Sequence, residues 1–209
     1  MTYSYLALGD SYTIGELVPL HESFPYLTIQ LLRKKLATSV QFIAPEIIAK
    51  TGWTTDELEQ QLSKTTLLPK YDIVSLLIGV NNQYRGRELE NYEKEFEQLL
   101  IKAIALTGGN SNSVFVLSIP DWGVTPFAKE NDSEKIAQEI DVYNQSCENL
   151  TIKKGCHFIN ITDAQREDGA KDNFLASDGL HPSGNEYAKW AIQLKDAIIS
   201  ELSSKKENS

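Results

Sequence analysis

Three side chains of this 209-residue chain are of the types that cooperate in acyl transfer. Ser11 follows the apolar run 5–8 within Gly9-Asp10-Ser11-Tyr12, and Asp178 lies three residues before His181. A serine hydroxyl attacks an ester when a neighbouring base takes its proton, and that base needs an orienting partner. The three residues therefore predict a Ser–His–Asp site and a serine esterase.

The spacing of Asp178 and His181 fits the geometry that a catalytic base needs. Three residues in a turn let the carboxylate reach Nδ1–H of the imidazole, which sets the tautomer that leaves Nε2 free to take the serine proton. Taken alone, the pair could also be a turn contact or half of a metal site. The other histidines, His21 in a polar segment and His157 at a strand start, have no spacing that completes a metal site. We therefore predict no metal.

Two further candidates follow later strands and could supply hydrogen-bond donors. Gly52 comes after the second predicted strand, and Asn81 comes after the third. Each residue by itself is typical of a turn. The carboxyl ends of parallel strands meet at one edge of a sheet, so both residues are expected beside Ser11. A tetrahedral intermediate needs donors of this kind, and the convergence of three strand ends favours that role over a turn.

Alternating strand and helix patterns must position these side chains. Apolar runs predict five strands, at 3–8, 40–49, 71–78, 114–119 and 156–161, the second interrupted by Pro45. Apolar residues at helical spacing predict helices at 24–36, 54–64, 92–106 and 134–153, and one that starts near 183. The longest irregular segments are predicted at 120–132 and 162–179. This alternation indicates a parallel sheet covered on both faces, in one domain over residues 1–202 with a polar, disordered tail at 203–209.

Four short blocks resemble, in order and spacing, those of the GDSL-like SGNH hydrolase family of esterases and lipases: Gly9-Asp10-Ser11, Gly52, Gly79-x-Asn81 and Asp178-x-x-His181. The resemblance implies a three-layer α/β/α flavodoxin-like fold with five parallel strands in order 2-1-3-4-5. It also implies ester hydrolysis without a metal or other cofactor. The implied roles are Ser11 as nucleophile, His181 as base, Asp178 as orienting acid, and the Ser11 N–H, the Gly52 N–H and the Asn81 side chain as oxyanion hole.

Two positions depart from the family pattern. Tyr12 stands where leucine is usual, as in many bacterial members, and touches none of these roles. Asn82 stands where the third block usually has aspartate. The change leaves Asn81 intact as a donor, but it leaves open which group supports the loop in place of the aspartate.

Substrate contacts are expected among five residues, which are Asp10, Trp53, Tyr84, Arg85 and Trp122. Arg85 could bind a carboxylate or phosphate of the substrate, or could form a surface ion pair with a nearby glutamate. Trp122, together with Phe127, could line the pocket or could pack the segment 120–132 onto the body of the protein.

Composition limits the other classes of function. A net charge of −9 opposes binding to nucleic acids and anionic membranes, which depends on basic patches. No apolar run approaches the roughly 18 residues of a membrane span, and no signal peptide is visible, so a cytoplasmic location is expected. The two cysteines do not make a disulfide framework, and Cys147 on an apolar helix face is interpreted as a buried structural thiol.

The predicted function is hydrolysis of a small-molecule ester with a short acyl group, such as an O-acetyl group on a carbohydrate. A lysophospholipase or thioesterase is the alternative among hydrolases, and acyl transfer to an alcohol would use the same intermediate. Outside enzymes, a catalytically dead flavodoxin-like binding module stays open. Asp10 and Glu16 would repel a bound phosphate, however, and no glycine-rich phosphate cradle is present. The sequence makes no prediction of oligomeric state.

Overall fold

Five parallel strands form the central sheet. The structure, a computed structural model, describes residues 2–36 and 40–207, with the side chains of 205–207 left out. The sheet contains β2 (Tyr5–Gly9), β4 (Glu46–Ala49), β5 (Ile73–Leu77), β6 (Val114–Leu117) and β7 (His157–Ile159), in the spatial order β4-β2-β5-β6-β7. Counted along the chain this order is 2-1-3-4-5, as predicted. The strands β2, β5 and β6 are buried throughout, which explains their apolar sequences.

Two of the predicted strands are each divided into two. The strands β1 (Thr2–Tyr3) and β3 (Gln41–Phe42) pair with each other in a separate parallel sheet. The break before β2 falls at Ser4, whose backbone N–H donates to the Asp72 carboxylate at 2.8 Å. The break before β4 ends at Pro45, which has no N–H to donate to a ladder.

Five long helices cover the two faces of the sheet. The helices α2 (Phe24–Leu36) and α8 (Gly184–Glu207) pack together, whereas α3 (Thr55–Leu62), α5 (Leu89–Leu106) and α6 (Ser133–Lys153) contact one another in that order. Right-handed crossovers explain this division, because the step from β2 to β4 runs toward one sheet edge and the later steps run toward the other. The three-layer α/β/α fold is therefore confirmed.

Some helices of the structure are missing from the sequence predictions, and one predicted helix is longer than expected. The helix α7 (Thr162–Asp168) forms within the segment predicted to be irregular, because the Asn160 side chain accepts the N–H groups of Thr162 and Asp163. The helix α8 continues to Glu207, into the segment expected to be a disordered tail, and residues 208–209 lie outside the described part. None of the described helices combines the length and hydropathy needed to cross a bilayer.

Three loops leave the sheet at one level, at the carboxyl ends of its strands. Gly9, the last residue of β2, pairs with Ala49 of β4 on one side and with Leu77 of β5 on the other. A side chain at Gly9 does not fit, since its Cβ would lie 2.3 Å from the Leu77 carbonyl oxygen. Short helices, α1 (Ser11–Ile14) and α4 (Val80–Tyr84), start just beyond this level. The fold therefore brings the loops with the predicted site residues together.

Candidate active site

Ser11 is the first residue of α1 and is almost fully buried, with 4% of its surface exposed. Asp10 caps this helix by accepting the backbone N–H of Tyr12 at 3.1 Å. The first N–H groups of a helix have no acceptor within the helix. Among the residues that the structure describes, neither the Ser11 N–H nor the Gly52 N–H donates to another protein group. Both donors are therefore available to a ligand.

Asp178 and His181 form a direct pair. The Asp178 Oδ2 atom lies 2.6 Å from His181 Nδ1, and Oδ1 accepts the backbone N–H groups of Leu180 and His181 at 3.0 Å each. Partial burial raises the pKa of the Asp178 carboxyl, but these hydrogen bonds and the adjacent imidazole outweigh burial, so the net shift of the pKa is downward. An ionised Asp178 fixes Nδ1 as the donor and leaves Nε2 as the acceptor.

The turn that carries His181 is anchored on several sides. The His181 carbonyl accepts the Ala176 N–H at 2.8 Å, and the Gly179 carbonyl accepts the Phe127 N–H at 3.0 Å. The buried Tyr12 ring lies 5.4 Å from the His181 ring, centroid to centroid. The sequence assigns no role to Tyr12, but in the structure this tyrosine is a packing surface for the imidazole.

Ser11 and His181 line the same pocket, which has a volume of about 180 Å³. The other predicted site residues that line it are Gly52, Asn81, Tyr84 and Trp122. Within the described part of the chain, no hydrogen bond joins the Ser11 hydroxyl to His181. Such bonds are often long without substrate and tighten when it binds. The pocket therefore brings a hydroxyl, an imidazole and potential oxyanion donors to one place.

Several pocket residues are not among the sequence candidates. They are Tyr12, Thr51, Val80 and Leu180. Each lies next to a predicted site residue in the sequence, so adjacency is the signal that could have identified them. Phe127, for which the sequence allowed either a pocket or a packing role, also lines the pocket. The Thr51 hydroxyl donates to the Glu16 carboxylate, which ties its loop to the end of α1.

Three of the predicted substrate contacts do not line this pocket. Asp10 has no exposed surface, and burial raises its pKa to about 7, although hydrogen bonds from the Tyr12 N–H and the Asn81 amide act in the opposite direction. Trp53 is half-buried and packs against the core. Arg85 donates to the Gly52 carbonyl at 2.5 Å and also pairs with Glu57. The ion pair is the alternative to a substrate contact that the sequence offers for this residue.

Hydrogen bonds from α4 hold the loop 50–54, which we call the polar wall of the pocket. The Asn81 side chain donates to the Trp53 carbonyl at 3.0 Å. The buried Asn82 side chain accepts the Thr55 N–H at 3.1 Å and donates to the Thr55 hydroxyl at 2.6 Å. An amide at the position of the usual aspartate thus supports the loop by itself.

Another part of the pocket lining is built from rings, and we call Tyr84, Trp122 and Phe127 the aromatic wall. The Trp122 ring meets Tyr84 edge to face, with centroids 5.2 Å apart, and lies 6.1 Å from Phe127. Trp122 is buried, and its Nε1–H donates to Gln83 Oε1 at 2.8 Å, whereas Tyr84 and Phe127 are about half exposed. Trp122 therefore both lines the pocket and packs its segment onto the protein.

The cysteines lie outside the pocket. Cys147 and Cys156 are both buried and unpaired, and burial raises the pKa of Cys147 to about 12, so its thiol stays protonated. The interpretation of Cys147 as a buried structural thiol is confirmed. In the ranges 2–36 and 40–207, no three His, Cys, Asp or Glu side chains are grouped so that they could hold a metal ion.

Comparison of the sequence with known families identifies the class of protein. The sequence profile of the GDSL-like Lipase/Acylhydrolase family matches residues 7–189. The protein therefore belongs to this family and is an ester hydrolase. No curated protein sequence matches the chain at a significant level.

Solved structures with low sequence identity share the fold over nearly the whole chain. Axe2, an acetylxylan esterase from Geobacillus stearothermophilus, is 18% identical with a TM-score of 0.69, over 95% of this chain and 93% of Axe2. A lipase/acylhydrolase from Enterococcus faecalis is 20% identical with a TM-score of 0.67, over 94% and 95% of the two chains. The psychrotrophic esterase EstA from Pseudoalteromonas is 16% identical with a TM-score of 0.67, over 96% and 99%.

Proposed function

We propose that the protein is a serine esterase that cleaves carboxylic esters with short acyl groups through an acyl-enzyme on Ser11. The observation that carries the proposal is the shared pocket of Ser11 and His181, with Asp178 bonded to the far side of the imidazole. A serine, a base and an orienting carboxylate in this order are the groups that acyl transfer needs. Membership of an acylhydrolase family supports the same reaction.

In the proposed first step, Ser11 Oγ attacks the ester carbonyl carbon while His181 Nε2 takes the hydroxyl proton. The carbonyl oxygen becomes an oxyanion, which the Ser11 N–H, the Gly52 N–H and one N–H of Asn81 stabilise. Asn81 Nδ2 lies 3.4 Å from an Asp10 carboxylate oxygen and 3.0 Å from the Trp53 carbonyl oxygen. The N–H that faces Asp10 is therefore the more weakly bonded of the two Asn81 side-chain N–H groups. The intermediate then expels the alcohol, which leaves with the proton from His181.

In the second step, water attacks the acyl-enzyme. His181 takes a proton from the water and then gives it to Ser11 Oγ as the new tetrahedral intermediate breaks its bond to Ser11 and releases the carboxylic acid. Asp178 stays ionised throughout and stabilises the imidazolium that forms in each step, which agrees with its lowered pKa.

The size and lining of the pocket support a short acyl group. Its volume of about 180 Å³ is below the roughly 300–1,000 Å³ of typical ligand pockets. Most of its walls are apolar, from Val80, Leu180 and the aromatic wall. That one of the similar structures is an acetylxylan esterase supports the same choice. A lysophospholipase or a long-chain thioesterase would need a longer apolar groove.

Hydrolysis of p-nitrophenyl esters of increasing chain length tests this proposal. We expect kcat/KM to be highest for acetate and butyrate and to fall steeply for longer chains. Ser11→Ala should lower kcat by about 10⁴–10⁶-fold, because the triad acts as a unit. High activity on long chains would favour the lysophospholipase or thioesterase alternative, and a Ser11→Ala variant with unchanged kcat would refute the mechanism.

Three other expectations accompany the proposal. They are a single domain over 1–202, a cytoplasmic location and the absence of nucleic-acid binding. Cell fractionation would test the location. A gel-shift measurement with DNA and RNA would test whether the charge of −9 prevents binding.

A further inference from the structure

A groove whose lining includes charged and amide side chains continues from the pocket that contains Ser11. Its first section, of about 480 Å³, shares Tyr84 and Trp122 with the pocket. Its second section, of about 500 Å³, lies between the start of α5 and the exposed side of α6 and ends at Val142 and Tyr143. The two sections share four residues, which are Gln83, Gly86, Lys135 and Glu139. From Lys135 to Val142, this α5–α6 groove follows α6 for about 10 Å.

A chain of hydrogen bonds organises the floor of the groove. Trp122 Nε1–H donates to Gln83 Oε1 at 2.8 Å, and the nearly buried Gln83 donates through Nε2 to Glu139 Oε2 at 2.7 Å. The other Glu139 oxygen lies 3.7 Å from Lys135 Nζ. The wall of the pocket beside Ser11 is thus connected to the groove, where hydrogen bonds hold the side chains of Gln83 and Glu139 before a ligand binds.

The chemistry of the groove differs from that of the ester pocket. The pocket is mainly apolar, whereas the groove presents donors and acceptors side by side, with Lys135 next to Glu139 and with Gln138 exposed nearby. A hydroxyl group both donates and accepts hydrogen bonds, so such a lining suits a molecule with many hydroxyls. At the entrance, the half-exposed Tyr84 ring offers an apolar face to the ring of a sugar.

Other chemical classes fit the α5–α6 groove less well. A long acyl chain would leave the charged groups of Lys135 and Glu139 without water, which costs free energy. A phosphate or other anionic head group would need an excess of basic side chains. Here Lys135 faces the carboxylates of Glu139 and Asp132 along the first section.

We propose that the α5–α6 groove binds the alcohol part of the substrate, a neutral chain of two or more sugar units, while the acyl group enters the pocket beside Ser11. The proposal rests on the esterase function proposed above. It assigns the two parts of the ester to two different surfaces, which meet at Tyr84 and Trp122.

Blocking the groove tests the proposal. Gln138→Trp would place an indole in the groove from an exposed position on α6, and Gln145→Trp is the matched control, two turns farther along the same helix and outside the groove lining. The substrates are p-nitrophenyl acetate and a set of O-acetylated trisaccharides of glucose, xylose and N-acetylglucosamine. The quantity compared is the ratio of kcat/KM for each saccharide ester to kcat/KM for p-nitrophenyl acetate.

We expect Gln138→Trp to lower this ratio by about 10-fold or more for at least one trisaccharide, mainly through KM, because it removes a subsite distant from the reacting bond. Gln145→Trp should leave the ratio unchanged, and the unacetylated form of that trisaccharide should inhibit the wild type competitively. A ratio that Gln138→Trp does not change for any trisaccharide would overturn the groove proposal while leaving the esterase intact. If the wild type hydrolyses neither p-nitrophenyl acetate nor any of the trisaccharide esters, both proposals fail.

Discussion

The polar wall and the aromatic wall of the pocket that contains Ser11 are held by different kinds of interaction. The polar wall, loop 50–54, is fixed by directed hydrogen bonds: Asn81 to the Trp53 carbonyl at 3.0 Å and Arg85 to the Gly52 carbonyl at 2.5 Å. The aromatic wall is held mainly by ring contacts, with Trp122 as the buried member and two half-exposed rings around it.

This difference separates two requirements of the proposed reaction. Stabilising an oxyanion depends on donors at fixed distances, so a displacement of about 1 Å is costly. Enclosing an apolar acyl group depends on contact area, which rings can provide in several arrangements. We therefore expect changes in the polar wall to lower kcat and changes in the aromatic wall to act mainly on KM.

The largest effect that would test this difference is expected for Asn81→Ala. The substitution removes the proposed side-chain donor to the oxyanion, so kcat for p-nitrophenyl acetate should fall by about 10²–10³-fold with little change in KM. Steady-state kinetics checks this. Exposed Asn91 on α5 offers a control, Asn91→Ala, which should keep the wild-type kcat. Unchanged kcat in Asn81→Ala would refute the oxyanion assignment.

Behind the polar wall, Asp10→Asn should change how stability depends on pH. The pKa of Asp10 is raised from 3.8 to about 7, so the stability that its neutral form contributes is fully present below about pH 4 and is lost as the pH rises to about 7. Asparagine does not titrate.

Urea denaturation should therefore show the wild type losing stability relative to Asp10→Asn between about pH 4 and about pH 7, by an amount on the order of a few kcal/mol, with no further change above. A difference between the two proteins that does not vary with pH would mean that Asp10 does not titrate in this range.

A smaller effect is expected for Arg85→Ala, which removes the donor to the Gly52 carbonyl without touching the pocket. Loosening the Gly52 peptide should lower kcat by about 10-fold and leave KM nearly unchanged. Arg85 also pairs with Glu57 of α3, and Lys102 of α5 pairs with Glu59 of that same helix α3. Lys102 has no contact with Gly52, so Lys102→Ala is the matched control. If Arg85→Ala raises KM alone, Arg85 contacts substrate and does not position the loop.

The smallest effect is expected in the aromatic wall, for Phe127→Ala. The ring is 46% exposed, so its removal should cost only part of the binding free energy that a fully buried side chain would contribute. KM for p-nitrophenyl butyrate should therefore rise by about a few-fold. Phe127→Leu keeps most of the bulk and should stay near the wild type. A loss of kcat as large as that of Asn81→Ala would erase the proposed difference between the walls.

The sequence predicts the fold well because its central strands are apolar runs that the sheet buries on both faces. It predicts the meeting of Ser11, Gly52 and Asn81 for a related reason, since the carboxyl ends of parallel strands share one edge. The predicted helix start near residue 54 is also confirmed, because the capping box of Thr54 and Glu57 that begins α3 depends only on neighbours in the chain.

Individual side-chain contacts between distant parts of the chain, outside the four family blocks, are what the sequence does not predict. The contact of Arg85 with the Gly52 carbonyl spans 33 positions, and the packing of Tyr12 on His181 joins opposite ends of the protein. The helix α7 is missed because the side chain that starts it, Asn160, lies within the apolar run predicted as a strand at 156–161. The burial of Asp10 is hidden because aspartate in a turn is usually exposed.

The central claim is that His181 activates Ser11, and labelling with a fluorophosphonate followed by mass spectrometry of the peptides tests it most directly. We predict stoichiometric modification of Ser11 in the wild type and labelling slowed by at least about 10³-fold in His181→Ala. An unlabelled wild type, a label on another residue, or equal labelling rates in the two proteins would contradict the claim.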